Sequence, residues 1–134
     1  MTIRESDLLR HIYARSRGMP EHVRIGPGDD SALVALPGDT LATIDQFVEG
    51  RHFHADWPID LIARNSVARS VSDIAAMGGR PTCALASGAL RAGFEHADAL
   101  FDAMAQWAKH WNCPLVGGDI AVVGGLVIRI VTMS

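Results

Sequence analysis

A chain of 134 residues is one domain's worth, and at 49% hydrophobic it can bury a core of its own. Its net charge of −3 excludes the basic footprint of a nucleic-acid binder. No apolar run reaches the roughly 20 residues that cross a bilayer, and the N-terminus lacks a signal-peptide core, so a soluble, cytoplasmic protein that contacts no membrane is expected.

In chain order, Ser6 reads as the cap of an amphipathic helix, DLLRHIYARSR, with Leu9, Ile12 and Tyr13 on one side and Gly18 at its end. Residues 23–30 turn on Gly26, Pro27 and Gly28. Residues 32–36 predict a short strand, 37–39 a turn and 41–47 a second strand, the two forming a hairpin. Alternation along the second strand puts Thr43 and Asp45 on one face and Ile44 on the other. Pro58 opens a long helix, IDLIARNSVARSVSDIAAM, closed by Gly78 and Gly79. Residues 81–90 are strand-like. Residues 95–111 give the clearest helix, with Phe94, Ala97, Leu100, Phe101, Met104, Ala108 and Trp111 at helical spacing, acids early, and Lys109 and His110 late. A short strand over 114–116 runs into Gly117-Gly118-Asp119, and a last strand covers 125–133. The order, without repeat or linker, predicts a single α+β domain over residues 1–134, an α/β sandwich: a mixed sheet of about five to six strands with helices packed on one face.

Cys83 and Cys113 form no CxxC pair and read as buried free thiols in a reducing compartment. Eleven arginines stand against one lysine, Lys109, and no GxxxxGK[ST] occurs. Phosphate would therefore be met by metal ions, arginines and backbone N–H groups rather than by a phosphate-binding loop.

Five aspartates stand out. Asp29 and Asp30 follow a Gly-Pro-Gly turn and Asp119 follows two glycines; taken singly, these three read as turn residues. Asp45 and Asp73 are different. A carboxylate on a half-buried strand is desolvated unless it finds a partner. An acid one turn before a helix C-terminus is disfavoured by the dipole by about 0.3–1 kcal/mol, an objection that a helix break at Ser72 would remove. Both acids want a cation, and magnesium, a hard ion held by a few carboxylates and substrate phosphates, fits. Such ions would draw the scattered acids together. His52 and His54 form an HxH pair, a weak zinc signal without further Cys or His ligands. His11, His22, His96 and His110 read as surface or helix-end residues.

The pieces GPGDDSALV, TIDQFVEGRHF, SVSDIAAMGGRP and LVGGD, in that order, resemble the N-terminal domain of the thiamine-monophosphate kinases. These enzymes share a superfamily with aminoimidazole ribonucleotide synthetase, selenophosphate synthetase and a hydrogenase maturation factor. The likeness extends from residue 5 to residue 132, and the VEGRHF segment favours the thiamine-phosphate branch. It implies a kinase that uses ATP and magnesium to convert thiamine monophosphate to thiamine diphosphate. It further implies magnesium ligands at Asp29, Asp30, Thr43, Asp45, Asp73 and Asp119, with Ile44 contributing through its backbone. By the same likeness His52 contacts the substrate, Gly118 and Asp119 lie near the nucleotide, and the protein is a homodimer whose N-terminal strands pair across a two-fold axis. No enzyme nucleophile or base is implied.

The chain departs from that pattern at Ser70, where asparagine is usual, at Asn65 for a lysine, and at Ile120 for a threonine. The family also continues with a second domain that opens on a glycine-rich stretch, and this domain is absent from the chain. Two alternatives follow: another enzyme of the superfamily, selenophosphate synthetase-like, or a non-catalytic dimeric nucleotide-binding module.

Overall fold

The computed structural model describes residues 4–123 and 127–133. Through them run α1 (Glu5–Arg15), β1 (Val23–Ile25), β2 (Leu33–Val34), β3 (Ala42–Val48), α2 (Ile59–Ala76), β4 (Cys83–Arg91), α3 (Ala97–His110), β5 (Leu115–Val123) and β6 (Val127–Met133). Four strands form one mixed sheet in the order β3-β6-β4-β5. Its β3–β6 and β6–β4 pairs are antiparallel and β4–β5 is parallel. The parallel pair is joined through α3, the long connection that parallel neighbours require. β1 and β2 make a separate antiparallel ribbon. The expected α+β class holds, with six strands divided between two sheets.

The helices follow from local pattern. In α2 the buried residues Ile62, Ala63, Ser66, Val67, Ser70, Val71 and Ile74 recur at helical spacing and make one stripe. Pro58 stands at the N-cap with its ring-fixed φ of −55°. At the other end the Gly79 N–H donates to the Ile74 carbonyl at 3.0 Å and the Gly78 N–H to the Ala75 carbonyl at 3.0 Å. These are the two bonds of a Schellman stop, and Gly78 takes the left-handed φ of 76° it needs. α3 ends the same way, with Asn112 at φ 54° in the left-handed position and the Cys113 N–H bonded to the Ala108 carbonyl at 2.8 Å. α1 begins one residue before the expected cap: Arg4 holds the N-cap position with no side-chain hydrogen bond, and Leu8 is the buried residue.

The strand pairings differ from the sequence reading. Residues 32–36 and 41–47 do not form a hairpin. β2 instead pairs back with β1, and β3 pairs with β6 from Ala42↔Met133 to Val48↔Val127. The Pro37-Gly38-Asp39 turn signalled adjacency, but partner choice was decided by apolar surface far away in sequence. β1 occupies a stretch read as pure turn. β5 continues through the Gly-Gly-Asp segment to Val123, well past residue 116. Of the predicted last strand, 127–133 is strand, while residues 125 and 126 lie outside the described residues.

The register divides the sheet's faces. Thr43, Asp45 and Phe47 share one face with Ile128, Ile130 and Thr132, and this face meets the helices. The main core gathers there, with Phe47, Ile128 and Ile130 against Ile62, Val67, Leu100 and Met104. On the other face the β1–β2 ribbon covers only one end, where Val23 packs with Cys83 and Val116. Ile44, on this face, is left 59% exposed. Both cysteines are free and buried, as expected.

Thr132 is fully buried, and its hydroxyl has no hydrogen-bond partner. An unmet buried hydroxyl costs about 1–3 kcal/mol. Thr132→Val, which keeps the shape and removes the polar atom, is therefore expected to stabilise the domain by about 1 kcal/mol in urea unfolding.

Candidate functional site

β3 is an edge strand of the sheet, and α2 crosses the face from which Thr43 and Asp45 project. The Thr43 hydroxyl donates to Oδ2 of Asp73 at 3.2 Å. Asp45 is held against the same carboxylate. Burial, then a hydrogen bond and the charge of Asp73, push the Asp45 carboxyl above its ordinary value, while the charges of Arg69 and His52 pull it back. α2 runs unbroken through Ser72, whose hydroxyl bonds back to the Arg69 carbonyl at 2.8 Å. Asp73 therefore stays on the last turn, where the dipole opposes its charge. Two acids are thus pressed together, and the half-buried Asp45 is the one whose ionisation this disfavours.

Hard oxygen donors of this kind suit magnesium, which is commonly held by one or two carboxylates and completed by water and phosphate. The residues that would hold it here are Thr43, Asp45 and Asp73. Among the described residues, no three His, Cys, Asp or Glu side chains are grouped so as to hold a metal ion. The protein side of such a site is consequently sparse, and the HxH pair gains no further ligand.

The loop after β3 positions His52. The Val48 N–H donates to His52 Nδ1 at 2.8 Å, and the His52 N–H donates to the Val48 carbonyl at 2.8 Å. This reciprocal clamp makes Nδ1 an acceptor, so the neutral ring carries its proton on Nε2. The imidazole stacks on Phe47 at 5.9 Å and 13°, and Phe47 stacks in turn on Phe53 at 4.8 Å. Glu49 pairs with Arg91 and ties the loop to β4.

The remaining predicted residues lie elsewhere. Asp45, Ile130, Ala86 and Gly118 occupy one row across the four strands. Three interstrand steps of about 4.8 Å put the ends of that row roughly 14 Å apart. Asp119 is exposed on β5, at the opposite edge from Asp45. Asp29 and Asp119 line a different space, a largely apolar cleft of about 640 Å³ bounded by α1, α3, β5 and the segment that carries β2. Asp30 is exposed, and its N–H donates to Oδ1 of Asp29 at 2.8 Å, a local turn bond. Ile44 projects from the face opposite Asp45. Within the chain Asp45 and Asp73 therefore meet, while Asp29 and Asp119 stand apart from them on the wall of that cleft.

Gly118 has a structural reason to be glycine. A Cβ there would lie 1.7 Å from the Ala86 carbonyl oxygen. Ser70 is buried, and its hydroxyl donates to the Ile130 carbonyl at 2.8 Å, anchoring α2 to β6 three residues before Asp73. Asn65 accepts from Arg64 at 3.3 Å, and Ile120 packs against the core. The sequence reading passed over Arg69, which stands one turn before Asp73 with its guanidinium carbon 5.9 Å from the Phe47 ring. The signal available was a basic residue four positions before an acid on one helix face.

Residues 28–134 match the family described as AIR synthase related protein, N-terminal domain. The chain belongs to that family. Several thiamine-monophosphate kinases resemble this AIR synthase related domain. One from Mycobacterium tuberculosis is 35% identical over 125 residues, covering 90% of this chain and 37% of the relative. One from Bacillus subtilis is 33% identical over 135 residues, covering 96% of this chain and 41% of the relative. The chain spans well under half the length of these curated relatives. A crystal structure of thiamine-monophosphate kinase from Stenotrophomonas maltophilia aligns with a TM-score of 0.76 at 26% identity, over 99% of this chain and 42% of that one. The hydrogenase maturation protein HypE, in complex with ATP, aligns with a TM-score of 0.71 at 20% identity, over 94% of this chain and 36% of that one, and shares the fold. The likeness to thiamine-monophosphate kinases read from the motifs is borne out by these relatives.

Proposed function

We infer that this chain is the ATP- and magnesium-binding N-terminal part of a thiamine-monophosphate kinase, acting in the cytoplasm. The observation that carries the reading is the meeting of the Thr43 hydroxyl and Asp45 on the Asp73 carboxylate, in a chain 35% identical to a protein of that name. In the reaction, a phosphate oxygen of thiamine monophosphate attacks the γ-phosphorus of ATP. The new P–O bond forms as the bond to the β,γ-bridging oxygen breaks, and ADP leaves. The attacking group is already an anion, so no side chain has to act as nucleophile or base. What the protein supplies is positioning and charge balance.

Bound magnesium would neutralise the two phosphates as they meet. Asp45, Asp73 and Thr43 would hold it, and His52 would offer its Nε2–H to the acceptor phosphate. Asp29, Asp30, the Ile44 backbone and Asp119, which lie apart from that pair within the chain, would serve further metal ions, with Gly118 and Asp119 beside the nucleotide. A second copy of the chain pairing in a homodimer belongs to the same reading. The exposed Ile44 face and the open edge of β3 leave room for it.

The test is thermal unfolding of the 134-residue chain with magnesium, with a non-hydrolysable ATP analogue, and with both. The reading expects the largest rise in melting temperature with both together, because the bound complex stabilises the folded state by mass action. No rise with either would reject it.

A further inference from the structure

Arg69 and Asp73 lie four residues apart on α2, on one helix face. The Arg69 guanidinium carbon sits 5.9 Å from the centroid of the Phe47 ring, and the His52 imidazole stacks on that same ring at 5.9 Å. Among the described residues Arg69 forms no ion pair. Its side chain is exposed, although its charge reaches Asp45. A guanidinium beside two crowded acids, yet bonded to neither, is steadied by the aromatic face beneath it while its donor fork stays uncommitted. That fork matches phosphate oxygens in geometry, and the His52 Nε2–H adds a second donor beside the same ring.

We propose that Arg69 is a phosphate-binding residue of this site, its guanidinium engaging a non-bridging oxygen of a magnesium–polyphosphate whose metal is held by Asp45 and Asp73. The assignment rests on the reading given under Proposed function. It gives Arg69 opposite effects on two ligands. Toward magnesium alone Arg69 is a like charge next to a ligand, and it weakens binding. Toward magnesium with a polyphosphate it is an added partner, and it strengthens binding.

The experiment is calorimetric titration of the unmodified chain and of Arg69→Met, which keeps an apolar stem over Phe47 and removes the charge. The titrants are magnesium alone and magnesium with the non-hydrolysable ATP analogue. The variant is expected to bind magnesium alone more tightly and the magnesium–nucleotide about tenfold more weakly, with Arg69→Lys in between. If both affinities fall together, or neither changes, Arg69 is a packing residue and the assignment is overturned. If the unmodified chain binds no magnesium, the parent reading fails and takes the assignment with it. Failure of the first kind is visible only in the variant, so the two are told apart.

Discussion

Asp45→Asn is expected to raise the melting temperature of the metal-free chain and to remove its response to magnesium. Burial and then Asp73 push the Asp45 carboxyl up from 3.8. A group whose value is raised on folding contributes stability that is complete below its unfolded value and is lost as pH rises through the folded one. At neutral pH the ionised Asp45 is therefore a cost to the folded state, and an amide, which can still hydrogen-bond Asp73, relieves it. The advantage of the variant over its parent should grow as pH rises from about 4 and then level off once the parent's carboxyl is ionised. With magnesium the proposed function expects the reverse ranking. Losing a direct ligand should weaken its binding by at least the ~10- to 100-fold that outer-shell partners of a metal typically contribute. Melting curves of both proteins, with and without magnesium across this pH range, check the two halves together. A variant that stays as responsive as the parent would rule out Asp45 as a ligand.

Gly118→Ala is expected to destabilise the domain by about 3 kcal/mol or more. The added Cβ would stand 1.7 Å from the Ala86 oxygen and 2.7 Å from its carbonyl carbon, with φ at 156°. These are backbone atoms of the paired strand β4, so the clash cannot be relieved by rotating a side chain. Gly117→Ala is the control. Its nearest new contact is Cδ2 of Leu85 at 3.2 Å, the end of a flexible side chain, and a cost of about 1 kcal/mol is expected. Urea unfolding of the two variants gives the comparison directly. Equal midpoints would mean that β4 and β5 do not approach as closely as described. The GGD segment thus has a packing reason for its second glycine, independent of any nucleotide.

The helices were legible because their signals are local: the apolar stripe of α2, Pro58 before it and Gly78 after it all lie within one segment. The pairing of β3 with β6 was not legible, because the strands that complete Thr43 and Asp45 come from the far end of the chain. A turn at Pro37-Gly38-Asp39 cannot reveal where its flanks go. The unusual settings of Asp45 and Asp73 were readable from secondary structure alone; α2 continues through Ser72 without a break, and Asp73 stays at its C-terminal end. What position along the chain could not tell is that Asp119 falls at the opposite edge of the sheet from Asp45. It also gave no sign that Arg69 and His52 share one aromatic ring, which depends on the fold of the loop after β3.

α2 is uninterrupted, and its Ser70 is fastened to the Ile130 carbonyl. A rigid rod pinned at one point turns distance into angle, by about 100° for every residue along it. Inserting or deleting one residue between Ser70 and Asp73 would swing the acid away from Thr43 even with every side chain of the site still present. The interval of three is therefore part of the site, and the residues inside it can be exchanged more freely than their number.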